Sequence, residues 1–423
     1  MLKNYFKIFL KVASQSKLFT FLSLFGISLT IMFVMIFSMT ISKITNGSGP
    51  EKELKKIVFC QRVKTKETHN GKSTNGYSMA ACGKSLCEKY LKNVKSASLS
   101  SMYTGPNPWE FIFNGKYQKM IQNQTDAEYW NMFNYKFLQG RPYTKEEVIK
   151  EANLAVISGS LKELLFGSEE NVLGKTIQYA SMNLIVTGVV EDPPKTDQNA
   201  IGDLYIPYTI IKNNDWDKYI GSFIMAYKAD SPKQFPLIRS ETKDIIARLD
   251  VADTTKAIFL SGPYSQIEKM MVGYGDPEDY SVGTSLLKYL MFALAFILLP
   301  AVNLMALNFA RIHERGEEIA VRKSFGASGK VLRRQFLFEN ILMTLTGGVL
   351  GMLFAYLVVA LLGSSLTIRI DFLNNVPISF SFNYAVFAAA LISCLLFGLL
   401  SGYLPAVRLS RMKPAVYLKG GEL

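Results

Sequence analysis

The sequence predicts an α-helical membrane protein of four spans that carries one large α+β domain of two lobes outside the cytoplasm. Three observations predict it. Four mostly apolar runs of more than twenty residues contain no Asp, Glu, Lys or Arg: Leu18–Ile41, Tyr289–Ala310, Asn340–Ile368 and Tyr384–Val407. About twenty such residues cross a hydrocarbon core of about 30 Å as helix. A polar insert of 244 residues, 42–285, separates the first run from the second. Finally, the basic residues crowd three short segments that share one side of a four-span chain.

Composition agrees. At 423 residues the chain exceeds a single typical domain. Hydrophobic residues make up 49%, and the mean hydropathy of +0.15 suits a few spans plus a polar domain. The expected order is an interfacial helix at 1–17, spans at 18–41, 286–310, 340–363 and 381–407, a 311–339 loop, a short outer loop at 364–380 and a tail at 408–423. Leu18–Ile41 is too long for a signal-peptide core and no small-x-small site follows it, so it is read as an anchor. In residues 1–17, Leu2, Phe6, Phe9, Leu10 and Ala13 share one helical face and Lys3, Lys7 and Lys11 another, which suits a helix lying in the headgroup layer.

Charge sets the orientation. The amino-terminal segment has Lys3, Lys7, Lys11 and Lys17 without an acid, and the 311–339 loop has seven Lys or Arg against four Glu. The tail has Arg408, Arg411, Lys413 and Lys419 against Glu422, whereas the link between the last two spans has only Arg369 and Asp371. Positive segments stay in the cytoplasm, so the insert lies outside, on a cytoplasmic (inner) membrane. Because the basic residues follow the membrane ends, the net charge of +13 does not indicate nucleic acid.

Within the insert, strands are expected at Lys56–Val63, Ala97–Tyr103, Ile220–Ala229 and Lys256–Leu260, with helices at Gly83–Lys92 and Pro232–Leu249 and a polar loop at Lys64–Tyr77. Strand–helix–strand units at both ends point to one α/β lobe from about 50–104 and 216–285. A β-rich lobe, about 105–215, is inserted into it, with turns at Gly140-Arg-Pro142 and Asp192-Pro-Pro194 and its clearest strand at Leu184–Val190.

Cys60, Cys82 and Cys87 lie in the insert and Cys394 in the last run. An extracytoplasmic compartment permits disulfides. Cys82 and Cys87 are a candidate pair, but three thiols leave one over and spacing does not set the connectivity. The spacing does not suit a zinc framework, and His69 is the insert's one histidine.

No constellation for catalysis is legible. Gly326-Ala-Ser-Gly-Lys330 fails as a phosphate loop, because Ser324 and Val331 stand where Gly and Ser or Thr are required. Glu146-Glu147 and Glu169-Glu170 read as solvated surface. Asn303 and Asn308 read as helix–helix hydrogen-bonding groups, and Gly347, Gly348 and Gly351 as permitting close helix packing.

The charged loop holds the strongest local pattern. Glu318 and Arg322 are four apart in the order that supports a helix. Ile319 and Val321 give that helix apolar surface, Gly326 ends it, and Ser328 can cap the next. A short helix would thus be held at the membrane surface between two spans.

Glu317-Glu-Ile-Ala-Val-Arg-Lys-Ser-Phe-Gly-Ala-Ser328 resembles the E-I-x-x-R-K-x-x-G-A-S signature of the MacB/FtsX family of ABC-transporter permeases. Gln139-Gly-Arg-Pro-Tyr-Thr144, Leu173-Gly-Lys-Thr-Ile177, Val186-Thr-Gly-Val-Val-Glu-Asp192 and Ser401-Gly-Tyr-Leu-Pro-Ala-Val-Arg-Leu-Ser410 are similar to further family stretches, in the family's order. Phe325, Ser324 and Val321 depart mildly from its usual choices. The resemblance implies a MacB-like outer domain and a coupling helix made by Glu317, Glu318, Ile319, Val321, Arg322, Lys323 and Gly326. It also implies a second permease, as homo- or heterodimer, and an ABC ATPase that binds the ATP and Mg²⁺. Nothing before Lys3 resembles an ATPase, so a separate partner chain is expected.

The function expected is that of a non-catalytic subunit whose outer domain moves when the ATPases close: mechanotransmission, serving export of a peptide or small molecule or lipoprotein release. A periplasmic adaptor or substrate protein would be a further partner. One alternative is an FtsX-like signalling permease that controls a cell-wall hydrolase or sensor. Another is a membrane-anchored binding or sensor protein without an ATPase, which has no use for a structured helix between spans.

The charge asymmetry makes a topological prediction. In intact cells a cysteine at Asn199 should react with an impermeant maleimide, and one at Ser328 only after permeabilisation; the reverse pattern would refute the assignment.

Overall fold

Antiparallel strands need only one covered face, so polar residues can alternate along them without weakening the ladder. This governs the outer domain. The computed structural model describes residues 17–272 except 48, 70–71, 114–115, 195–196, 198 and 213–217. It also describes 283–284, 287–288, 291, 321–326, 328–362, 367–368, 376–377 and single positions between 388 and 407. The chain divides into two compact units, one of Ser42–Leu286 with Arg369–Val376, the other of Met1–Ile41, Leu287–Ile368 and Pro377–Leu423.

Fifteen strands of the first unit join in one connected mixed sheet. They are β1 (Ile57–Cys60), β2 (Arg62–His69), β3 (Lys72–Cys82), β4 (Leu99–Thr104), β5 (Asn107–Phe113), β6 (Lys116–Thr125), β7 (Phe137–Gly140), β8 (Leu154–Ser158), β9 (Thr176–Tyr179), β10 (Met182–Val190), β11 (Leu204–Pro207), β12 (Ile220–Gly221), β13 (Phe223–Lys228), β14 (Lys256–Ser261) and β15 (Tyr264–Ser265). The main path runs β14-β2-β3-β13-β4-β6-β11-β8-β10-β7. β10 pairs parallel to β8 and β11 parallel to β6; the neighbours around them are antiparallel.

Two buried clusters cover this sheet. The larger joins Phe59, Val63, Met102, Phe223 and Met225 of the strands to Phe235, Ile238, Ile246 and Leu249 of the helix Phe235–Ala252. It also takes Tyr129, Trp130, Phe133, Tyr143 and Tyr205 from the 105–215 stretch. The smaller joins Ala155, Ile157, Leu184, Val186, Leu204 and Ile206 with Leu161 of the helix Gly159–Phe166. The inserted stretch therefore feeds both clusters. It also contains the helices Tyr129–Met132, Lys145–Ile149 and Gly159–Phe166.

Several local expectations change. The polar loop at Lys64–Tyr77 is instead the β2–β3 hairpin, with Thr65 opposite Ser78 and Lys64 opposite Met79. β2 lies between β14 and β3, so ladder bonds and Thr-rich β propensity outweigh its low apolar content. The Lys64 ammonium sits 4.6 Å from the Tyr77 ring centre. The strand at Lys56–Val63 breaks at Gln61, because β1 pairs with β13 and β15 while β2 pairs with β14 and β3. Glu147 is more than solvated surface. Its carboxylate accepts the Thr144 N–H at 2.7 Å while Thr144 Oγ1 accepts the Glu147 N–H, a reciprocal cap. Arg141 pairs with Glu147 at 2.7 Å and holds that carboxyl down at about 2. Asn199 is fully buried, so the outside labelling position moves to Tyr117, which is 80% exposed.

In the other unit, Gly329–Leu361 is long and apolar enough to cross a membrane, the one such helix among the described residues. A shorter apolar stretch, Thr20–Ile36, lies within the 30-residue helix Lys17–Asn46. The expected spans at 286–310 and 381–407, the 408–423 tail and residues 1–16 lie outside the described residues, apart from isolated positions. The two described helices pack through small residues. A Cβ on Gly347 would lie 2.6 Å from Ile27 Cγ2, and one on Gly351 would lie 2.5 Å from the Ser28 carbonyl oxygen. Ile27, Ile31, Met35, Met39, Met343 and Ala355 bury each other around this crossing. Apolar side chains gain little by leaving lipid for protein, so close approach of small residues supplies the packing.

Gly351→Val should therefore separate the two helices and destabilise the detergent-solubilised protein by about 1–3 kcal/mol, read as a lower melting midpoint. Val349→Ala, at a position 56% exposed, should leave the midpoint unchanged.

Candidate coupling site

The described part of the loop between the second and third expected spans, from Val321, folds into a braced elbow. Glu317, Glu318 and Ile319 lie outside the described residues, and with them the Glu318–Arg322 pairing. From Val321 onward the backbone is helical. The Phe325 N–H donates to the Val321 carbonyl at 3.1 Å, and the Gly326 N–H to the Lys323 carbonyl at 2.9 Å. Gly326 then turns at φ +88°, where a side chain is strained. Ser328 Oγ accepts the Val331 N–H at 3.4 Å and caps the helix Gly329–Leu362.

The elbow is tied to the helix that follows it. Arg322 Nη1 donates to Gln335 Oε1 at 3.2 Å, and Gln335 Nε2 donates to Glu339 Oε1 at 3.1 Å. Glu339 is 4% exposed, so the chain of bonds ends on a buried carboxylate. Lys323 is half-buried, and Val321 is exposed. Phe325 stands 89% exposed at the tip. Sequence reasoning noted Phe325 only as a departure from the family pattern. An aromatic beside a helix-ending glycine was the available signal.

A second constellation lies where the chain enters and leaves the outer domain. Glu51, five residues beyond the helix Lys17–Asn46, is 2% exposed. Its Oε1 accepts the backbone N–H groups of Asn199 and Ala200 at 2.5 and 2.9 Å. Asn199 Oδ1 accepts from Lys269 Nζ at 2.5 Å and from the Tyr103 hydroxyl at 3.3 Å. Lys269 belongs to Gln266–Val272, the last long element described before the expected second span, and its ammonium lies 4.7 Å from the Phe59 ring centre. Tyr129 donates to the Asn199 carbonyl, Tyr135 and Tyr205 to that of Ala200, and Asn123 to that of Ile201. A buried loop persists only with its backbone groups paired. Burial raises the Glu51 carboxyl above its ordinary range, against the pull of its two N–H donors and of Lys269. Burial also lowers the Lys269 ammonium to about 8, opposed by Glu51. No sequence signal marked Glu51, Asn199 or Lys269, since the bond from Asn199 to Glu51 spans 148 positions.

Cys60, Cys82 and Cys87 are free and buried. Cys82 Sγ donates to the Cys60 carbonyl at 3.9 Å, and burial raises the Cys60 and Cys87 thiols well above their ordinary value. Such thiols stay protonated and unreactive. Cys394 lies outside the described residues.

Residues 20–245 match the family model of the MacB-like periplasmic core domain, and residues 290–414 that of the FtsX-like permease C-terminal region. A macrolide export ATP-binding/permease protein MacB of Pasteurella multocida is 24% identical over 324 residues, covering 74% of this chain and 44% of that protein. A MacB 1 protein of Yersinia pestis is 26% identical over 289 residues, covering 68% and 41%. The chain thus spans about two fifths of the length of the curated relatives it matches. Among solved structures, the periplasmic region of MacB from Actinobacillus actinomycetemcomitans aligns at 19% identity and a TM-score of 0.34, over 50% of this chain and 93% of that one. The extracellular domain of the ABC-type transporter YknZ from Gram-positive bacteria aligns at 15% and 0.32, over 48% and 100%.

The buried cluster makes two predictions. Glu51→Ala orphans two buried N–H groups, at about 1–3 kcal/mol each. Amide exchange at Asn199 and Ala200 should quicken by roughly tenfold or more, whereas Glu51→Gln, which keeps an acceptor oxygen, should do less. The Lys269 ammonium loses its proton at about 8 in the folded state and at about 10.4 in the unfolded chain. The unfolded state binds more protons between those values, so stability attributable to Lys269 rises with pH across that window. Unfolding measured from pH 8 to 10 should show this rise, and Lys269→Met should flatten it. Glu51, with its carboxyl raised, acts oppositely in the acid range.

Proposed function

Because this chain belongs to the MacB/FtsX family of permeases, we propose that it is the non-catalytic permease subunit of an ABC transporter, moved by a separate ATPase. The braced elbow carries this reading. A helix transmits force only if it neither unwinds nor hinges, and the Arg322–Gln335–Glu339 chain ties the segment before Gly326 to the helix after it. Phe325 offers an apolar anchor to a groove on the ATPase. Val321, Lys323 and Lys330 flank it, with Glu317, Glu318 and Ile319 completing the docking helix.

The ATP and Mg²⁺ belong to the ATPase. Ser324 and Val331 stand where a phosphate loop needs Gly and Ser or Thr, which supports placing the nucleotide on the partner. Closure of two ATPases would push the elbow and the helix Gly329–Leu362, which packs on Lys17–Asn46 around Gly347 and Gly351. Five residues beyond Asn46 the chain reaches Glu51, buried on Asn199 and Ala200, so displacement of that helix acts on an anchored point. Two four-span permeases in the inner membrane complete this assembly, with export of a peptide or small molecule, or lipoprotein release, as its work. An adaptor or substrate protein would meet the outer domains.

Aromatic anchors at interface centres contribute about 2 kcal/mol or more. Phe325→Ala should therefore weaken co-purification with the ATPase by roughly thirtyfold without lowering abundance. Arg322→Glu should abolish coupling, measured as substrate-stimulated ATP hydrolysis by the reconstituted complex. Lys330→Glu should have a smaller effect; an equal loss would mean that bulk charge, not a docked elbow, holds the partner.

A further inference from the structure

The smaller hydrophobic cluster is not closed. The β5–β6 hairpin, the helix Gly159–Phe166 and the β9–β10 hairpin surround a cavity of about 430 Å³, within the range of small-molecule sites. Its walls include Trp109, Phe111, Leu165, Phe166, Tyr179 and Leu204. Leu161, Ile177 and Leu204 belong to both the buried cluster and the cavity wall, so the cavity opens directly onto that core.

Two polar tips at this cavity lack partners. Tyr179 is 5% exposed, and its hydroxyl has no hydrogen-bond partner among the described residues. Burial alone raises its phenol, with no charge or hydrogen bond contributing. The indole N–H of Trp109 likewise has no partner among the described residues, and the two rings lie 5.2 Å apart between centres at 44°. The other buried tyrosines of this domain behave differently: Tyr129, Tyr205 and Tyr227 each donate to a backbone carbonyl. Neither atom is sealed from solvent, so both are donors that water serves until a ligand oxygen takes its place.

The chemistry of the tips narrows the ligand. An indole N–H only donates, and a phenol can donate, so the pair selects an acceptor. Lys175, next to the lining residue Thr176, stacks 5.6 Å over the Phe166 ring and already pairs with Glu169, so its charge is engaged within the protein. We propose that this cavity is a binding site for an uncharged, largely aromatic small molecule that presents a carbonyl oxygen to Tyr179 and Trp109. The site is independent of ATPase coupling and stands or falls separately from it.

The test uses the full chain in lipid nanodiscs and the photoreactive neutral ketone 4-benzoylbenzamide. Irradiation and peptide mapping should show saturable labelling confined, within the outer domain, to residues 107–125 and 159–182, competed by unreactive benzanilide. Leu165→Trp, which fills the cavity, should abolish that labelling, with amide exchange of β8 and β10 checking that the fold persists. Thr176→Trp, at the exposed mouth, serves if the first variant unfolds. Tyr179→Phe keeps the wall and removes the hydroxyl, and should weaken half-saturation by about two- to tenfold, the value of one hydrogen bond. Unsaturable or scattered labelling, or labelling that survives a filled cavity, overturns the site. Saturable labelling unmoved by Tyr179→Phe overturns the carbonyl-recognition assignment. Co-purification with the ATPase should be unchanged in all three variants.

Discussion

Glu51 is buried within a few residues of leaving the helix Lys17–Asn46, and much of the outer domain is arranged to make that tolerable. A carboxyl at 2% exposure must be paired or hydrogen-bonded, and the backbone of Asn199 and Ala200 supplies the donors. That loop is then obliged to satisfy its own carbonyls, which Tyr129, Tyr135, Tyr205 and Asn123 do. The tyrosines are in turn held by stacking with Trp130, Phe133 and one another. Lys269 closes the ring from the far end of the domain. Entry segment, inserted stretch and exit segment thus meet on one short loop.

The membrane unit solves a different problem. Without a hydrophobic gain between helices, contact depends on how closely backbones approach. Gly347 and Gly351 bring the helix Gly329–Leu362 against Ile27, Ser28 and Ile31. A helix pair packed this way resists sliding, and the elbow at its end is stiffened by bonds to Gln335 and Glu339 rather than by burial. Phe325 stands exposed at the elbow, while Arg322 is taken up in bracing it.

Between the two clusters of the outer domain the sheet is continuous, because β6, β11 and β8 pair in sequence across it. A load applied near Glu51 and one applied at the cavity beside Tyr179 act on the same ladder. The parallel pairs β6–β11 and β8–β10 require crossover connections. The helix Gly159–Phe166 and the β9 hairpin provide the second of these, and they also form two sides of the cavity.

What the sequence determined by itself was whatever is local or additive. Uncharged runs, basic flanks, the Glu318–Arg322 spacing and the Gly326 stop are properties of neighbouring residues, and they carried the membrane class, the family resemblance and the position of the elbow. The helix after Pro232 and the strand ending at Val190 were legible for the same reason, since period and capping act over a few positions. Polar strands were not: the β2–β3 hairpin is poor in apolar residues, and its outer ladder partners β14, β12 and β13 lie far along the chain. Tertiary structure alone decided that Asn199 is buried, that Glu51 and Lys269 converge on it, and that Arg322 braces on Gln335. It alone left the Tyr179 hydroxyl without a protein partner among the described residues. Each depends on a contact between residues whose separation in sequence exceeds any periodic signal, so only the folded backbone could bring them together.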